Sequence, residues 1–216
     1  REQVSKFNAQ NEMKTMKFLL VFFLNLLWIG NVMAIEEPKF EVLLTDGSFE
    51  IRQYAPYLTA ETLVMGDMDE ASGKGFRLIA DYIFGNNQAI NSATSEKISM
   101  TAPVTIEPQM SAGSMETSKQ WLVKFIMPSQ YTLATIPKPK NSAVNLREVP
   151  SKRYAVLKYS GFNFQSKVQS KTQEAIEWVA KRNLQATGQP QLSRYDPPWT
   201  LPMLRRNEIM IEISNQ

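Results

Sequence analysis

Neither histidine nor cysteine occurs anywhere in the chain. Those two zeros exclude a Ser-His-Asp or Cys-His nucleophile, the usual zinc sites, and imidazole or thiolate ligation of a haem iron. They also exclude disulfides, so packing alone must hold the fold. A serine-lysine pair would survive the loss of histidine, but no lysine stands three residues after a serine. Gly73-Lys74-Gly75 lacks both the upstream glycine and the following Ser or Thr of a phosphate-binding loop. Asp67, Asp69 and Glu70 form an acidic cluster with no glycine-bearing calcium loop after it. They read as an acidic helix start that complements the helix dipole.

Long apolar runs are equally scarce. The longest is Phe18 to Ile29, 12 residues broken by Asn25, against roughly 20 for a bilayer-spanning helix. Lys14 and Lys17 precede it and Val32-Met33-Ala34 follow, the pattern of a bacterial signal peptide over Met13 to Ala34. The expectation is export, with the periplasm preferred to full secretion, and no stable membrane anchor. Residues 1 to 12 are polar and read as upstream sequence outside the fold, which leaves 35–216 as one domain. Without Arg1, Lys6, Lys14, Lys17, Glu2 and Glu12, that domain carries 20 basic and 19 acidic residues, a net charge of +1. So balanced a surface has no long-range pull on nucleic acid or anionic lipid, and no nucleic-acid partner is expected.

What is present is a periodicity that changes twice. Phe40 to Leu44 and Phe49 to Tyr54 alternate around Thr45-Asp46-Gly47-Ser48, a hairpin signal, and Tyr57 to Val64 continues as strand. From Asp69 to Phe84 the apolar residues fall on one helical face, and Gly85-Asn86-Asn87 ends it. Strands resume at Val104 to Glu107 and Trp121 to Met127. After an ordered connecting loop, Pro128 to Pro139, the order repeats: strands Val144 to Val149 and Arg153 to Tyr159, then a helix from an Asn163 N-cap to about Thr187. Strands Gln191 to Tyr195 and Glu208 to Ile213 finish the chain. Two amphipathic helices on a mostly antiparallel sheet give an α+β domain. The repeated β-β-α-β-β order predicts pseudo-twofold symmetry with a groove between the halves.

Five strings in order carry a resemblance. They are Phe49-Glu50-Ile51-Arg52-Gln53-Tyr54, the helix Gly75 to Asn87, Lys97-Ile98-Ser99-Met100-Thr101-Ala102-Pro103-Val104, Phe125-Ile126-Met127-Pro128, and the closing Tyr195 to Glu208 with its three prolines. The sequence resembles the SOUL/haem-binding protein family over about Pro38 to Ile213. That resemblance implies a distorted β-barrel with two helices and a non-catalytic role in binding haem or related tetrapyrroles. With no histidine to offer, the implied mode is a porphyrin lying in an apolar groove against a helix face, its propionates meeting basic side chains. Lys74 and Arg77 are the candidate bases and Phe76, Leu78 and Ala80 the apolar patch beside them. The competing reading of these charges is an ordinary solvated helix face with an Arg77–Asp81 pair.

Met100, and with it Met65 and Met68, are the candidate thioether ligands, and Tyr82, Tyr159 and Tyr195 the candidate phenolates; for all of them core packing is the competing reading. Arg205, Arg206 and Glu208 are expected to clamp the proline turn. Glu61 and Glu107 are carboxylates of the groove with no spacing that argues for catalysis. The alternative function is a binding module for another planar or amphipathic molecule, because the duplicated architecture also resembles effector-binding domains of multidrug-responsive regulators.

Overall fold

The computed structural model describes residues 35–109 and 118–215, and the leader expected over 13–34 lies outside them. Residues 35–216 form a compact unit by themselves. Its strands are β1 (Phe40–Asp46), β2 (Phe49–Tyr54), β3 (Tyr57–Met65), β4 (Asn87–Gln88), β5 (Val104–Pro108), β6 (Gln120–Ile126), β7 (Lys138–Pro139), β8 (Asn145–Val149), β9 (Lys152–Tyr159), β10 (Gln191–Arg194) and β11 (Asn207–Ile213). Helix α1 (Met68–Ile83) follows β3 and α2 (Gln165–Lys181) follows β9. Nine of the strands form a single curled antiparallel sheet, a half-barrel, in the order β1-β2-β9-β11-β10-β5-β6-β3-β8. β4 and β7 make a separate two-stranded ribbon. Among the described residues, no helix is long and apolar enough to cross a membrane.

Strand alternation sorts the side chains onto two faces. Ala60, Ile106, Val123, Phe125, Leu157, Leu192, Ile209 and Ile211 point one way and meet the inner stripes of both helices, Ala71, Ile79 and Tyr82 of α1 and Val168, Ala175 and Val179 of α2. This is the main core. The other face is different in kind. Tyr54, Tyr154, Val156 and Met210 form a small cluster there, surrounded by buried Glu50, Arg52, Thr105, Gln191, Ser193 and Glu208.

Local signals explain the element ends. Gly47 adopts φ 60° in the two-residue turn between β1 and β2, a conformation that costs glycine least. Asp67 caps α1 by accepting the Glu70 N–H at 2.8 Å, and Asp69 and Glu70 fill its first turn, as the acidic cluster leads one to expect. Gly85 then closes α1, with Asn86 N–H donating to the Asp81 carbonyl and Gly85 N–H to that of Tyr82.

Helix α2 departs from expectation at both ends. Its N-cap position is Phe164 and no side chain caps it; Asn163 is instead held by the Tyr159 hydroxyl and by Asn207. It stops at Lys181 rather than near Thr187. Asn183 takes φ 54°, and Leu184 and Asn183 donate to the carbonyls of Val179 and Ala180. Asparagine tolerates the left-handed region well enough to end a helix as glycine does, so the chain turns two residues past the helix and well before Gly188.

Candidate functional site

Two places on the unit are built from the residues that the sequence points to: the outer stripe of α1, and the cleft inside the curled sheet. Helical spacing puts Gly73, Phe76, Arg77, Ala80 and Phe84 on one lateral stripe of α1. Phe76 and Phe84 are 40% and 55% exposed while Ala80 between them is buried, and Gly73 offers no side chain at all. Phe76 leans on the buried Phe125, ring centroids 5.4 Å apart. The loop from Lys97 lies alongside, tied by the Ile98 N–H to the Ile83 carbonyl at 2.9 Å. It brings Lys97 over the Phe84 ring at 5.7 Å and presents Met100 partly exposed. Two rings about 12 Å apart along the axis, at 1.5 Å per residue, thus bracket a low floor with Arg77 on one side and Lys97 at the end.

The remaining candidates on α1 fall elsewhere. Lys74 is turned to Glu70, 2.7 Å away on the exposed surface, and Leu78 packs half-buried against the core. The Gly73-Lys74-Gly75 string is helix interior, with Gly75 pressed against Val123. Met68 is core, whereas Met65 is exposed. The three tyrosines have other work: Tyr82 donates to the Pro137 carbonyl, Tyr159 to Asn163 and Tyr195 to Glu208. Burial raises the pKa of all three, and each is held as the neutral phenol.

The inside of the curled sheet is not the apolar slot that the duplicated order leads one to expect. Its deep end mixes polar with apolar side chains, Thr59, Gln191 and Ser193 beside Tyr54, Ile126 and Met210, and leaves a cavity of about 20 Å³, no more than one water fills. There Lys124 reaches Glu107 at 2.6 Å and Gln191 at 2.8 Å, and Thr105 meets Ser193 at 3.1 Å. Past Pro38, Tyr57 and Ile126 the cleft widens into a cavity of about 270 Å³ walled by Leu58, Met127 and Tyr131. Glu61, at the rim of the sheet, pairs with Arg147 at 3.2 Å. Sequence alternation alone marks Glu107 and Lys124 as facing the same way; nothing in it signals that they pair.

Beside that cleft, the first and last of the five strings meet. Arg52, 2% exposed, donates to Glu50 at 2.6 Å, to both Glu208 oxygens at 2.9 and 3.0 Å and to the Tyr54 hydroxyl at 3.0 Å, and stacks on Phe40. Tyr195 and Arg206 add donors to Glu208 at 2.7 and 3.0 Å. Burial opposes the charge on Arg52, but the hydrogen bonds and charge of Glu208 outweigh it and the pKa rises. Burial also pushes the Tyr54 phenol up to about 12. Arg205 holds the proline turn through the Thr200 carbonyl at 2.8 Å and the Pro198 carbonyl. The clamp expected of Arg205, Arg206 and Glu208 is therefore present, and it is larger than the closing string alone.

The fold is similar to solved structures at identities that carry nothing beyond the fold. The EcmrR C-terminal domain matches with TM-score 0.57 and 10% identity, covering 77% of this chain and 96% of that one. A hydrolase from Listeria innocua matches with TM-score 0.51 and 10% identity, covering 80% and 94%. No curated protein matches the chain. The family model for SOUL heme-binding protein matches residues 35–212, and the chain belongs to that family.

Proposed function

We propose that this protein is an exported, periplasmic, non-enzymatic binding protein for haem or a related tetrapyrrole, held without an axial histidine. The observation that carries the reading is membership of a heme-binding family by a chain with no histidine or cysteine. The porphyrin plane lies along the α1 stripe between Phe76 and Phe84, over Ala80, with Arg77 and Lys97 meeting the propionates through charge-assisted bonds. Met100 flanks the same stripe. Lys74 and Leu78, named with them from the sequence, lie off this stripe, Lys74 paired with Glu70 and Leu78 against the core. Apolar contact supplies most of the affinity, at about 25 cal/mol per Å² removed from water, so binding tolerates salt. The strand order supports reading the domain as a duplicated unit: with the edge strand β1 set aside, exchanging β2 with β8, β3 with β9, β5 with β10 and β6 with β11 reproduces the order of the other eight strands from the opposite edge.

A second reading has its own observation. The widened cleft at about 270 Å³ falls just below the roughly 300–1,000 Å³ of small-ligand pockets, and suits a smaller planar or amphipathic molecule in the manner of an effector-binding domain. Titration of residues 35–216 with haemin and with iron-free protoporphyrin separates the two. Equal affinities, each weakened by Phe76→Ala and by Arg77→Gln, support the first. Absence of saturable binding by either porphyrin overturns it in favour of the cleft.

A further inference from the structure

Ahead of β1, residues 35–39 run as an arm along the mouth of the cleft and belong to no strand. Glu36 makes an isolated parallel bridge to Thr101. Its carbonyl accepts from the Ala102 N–H at 2.9 Å and its carboxylate from the Ser129 N–H at 2.8 Å. Glu37 meets Arg206 fork to fork, Oε1 to Nη1 and Oε2 to Nη2 both at 3.0 Å. The Lys39 carbonyl accepts from the Ala55 N–H at 3.0 Å, just before β1. Ile35 is 52% exposed and Pro38 half-buried, so polar contacts rather than deep burial hold the arm.

The two sides of the Glu37–Arg206 contact are unequal. Arg206 is fixed from behind by Glu208 at 3.0 Å and by the Tyr195 ring at 3.6 Å, whereas Glu37 stands on the arm alone. The pair is half-exposed, where an ion pair is weak and sensitive to salt. The far end of the arm is anchored differently: Phe40 carries the Arg52 guanidinium over its ring at 4.4 Å and lies 5.0 Å from the Tyr54 ring. A fixed strand start behind a weakly tied segment is the layout of a hinge at Lys39.

The arm also forms a wall of the cleft. Glu36, Glu37, Pro38 and Lys39 line its wide part, and Pro38 lines the deep end as well, which puts Pro38 at the neck between them. With the arm in place the wide part holds about 270 Å³, just short of the roughly 300 Å³ at which small-ligand pockets begin. Lifting the arm removes that wall and joins the wide part to the deep end past Pro38.

We infer that the arm is a gate on the inside of the curled sheet, latched by Glu37 on Arg206, and that a planar or amphipathic ligand enters when it lifts. The use of the gate rests on the second reading above, in which the cleft takes such a ligand; its motion is measured separately. In residues 35–216, amide hydrogen exchange follows the Ala55, Ala102 and Ser129 N–H groups, which donate to the arm, against that of Met127, which donates to the Leu58 carbonyl and stays with the sheet. The three exchange together and faster than Met127, by local opening. Glu37→Gln speeds them about two- to fivefold, and salt at about 1 M does the same in the wild type and not in the variant. Three amides as protected as Met127 overturn the gate. Because the chain has no cysteine of its own, the Glu36→Cys, Thr101→Cys double variant locks the arm when oxidised and frees it when reduced. The dye anilinonaphthalene sulfonate binds the reduced form at least about tenfold more tightly than the oxidised form. Equal saturable binding by both forms overturns the gate and leaves the cleft as a site; binding by neither overturns the second reading and the gate with it.

Discussion

Gly75→Ala is the sharpest test of how α1 is seated, because two well-characterised effects oppose each other there. A Cβ at this position stands 2.5 Å from Val123 Cγ2, 2.6 Å from its Cβ and 3.0 Å from its Cγ1, where carbon atoms normally rest roughly 3.5–4.0 Å apart. The missing ångström must come from somewhere. Val123 is wholly buried and β-branched, so rotating it replaces one methyl with another. The helix must lift instead, loosening Ala71, Ile79 and Tyr82 along the same stripe. Such overpacking costs about 1–3 kcal/mol, while alanine in place of glycine returns about 1 kcal/mol of helix propensity. The expected net is about 0–2 kcal/mol of destabilisation, a fall of up to roughly 8 °C in melting temperature for a domain this size. Urea and thermal unfolding followed by circular dichroism measure it. Val123→Ala in the same molecule opens the space, so the double variant is more stable than the two single losses add up to, by about 0.5–3 kcal/mol of coupling. A rise in stability for Gly75→Ala alone, or strict additivity in the cycle, refutes the close seating of helix on sheet.

The buried network yields further expectations. Glu208→Gln removes the charge of the bidentate one of the two carboxylates that face Arg52 and costs about 3–5 kcal/mol; a loss below about 1 kcal/mol in urea unfolding would show that Glu50 suffices alone. Tyr54 has its phenol raised by burial from 10.0 to about 12, so the folded state holds a proton that the unfolded state gives up between those values. Its contribution is complete below about pH 10 and is lost as pH climbs toward 12, an upper bound of about 3 kcal/mol, and Tyr54→Phe flattens that part of a stability-versus-pH curve. Arg205→Ala frees the proline turn from two carbonyls and lowers melting temperature more than haemin affinity; the reverse outcome would place Arg205 in a ligand site.

Much of the fold is legible in the sequence because the signals are local and repeated. Alternation marks β1 to β3 and β11 within two residues, and the acidic start and glycine end of α1 are in the right places. Helix α2 is misread at its C-terminus because a left-handed asparagine leaves almost no mark in a sequence, whereas Gly188 and Pro190 downstream leave a strong one. The site is harder. Spacing brings Phe76, Arg77 and Ala80 to one stripe, but it cannot show that Lys74 prefers Glu70 or that Lys97, 20 residues on, returns to Phe84. The polar filling of the sheet's interior is similarly hidden. Arg52 and Glu208 are separated by 156 residues, and each alone reads as an ordinary charged residue on an edge.

β11 lies between β9 and β10 in the sheet and supplies one of the two carboxylates that face Arg52, Glu50 on β2 being the other. Loss of β11 therefore opens the sheet between β9 and β10 and leaves Arg52 with Glu50 alone of its two carboxylates. A fragment without β11 is a divided sheet and not a smaller version of the protein.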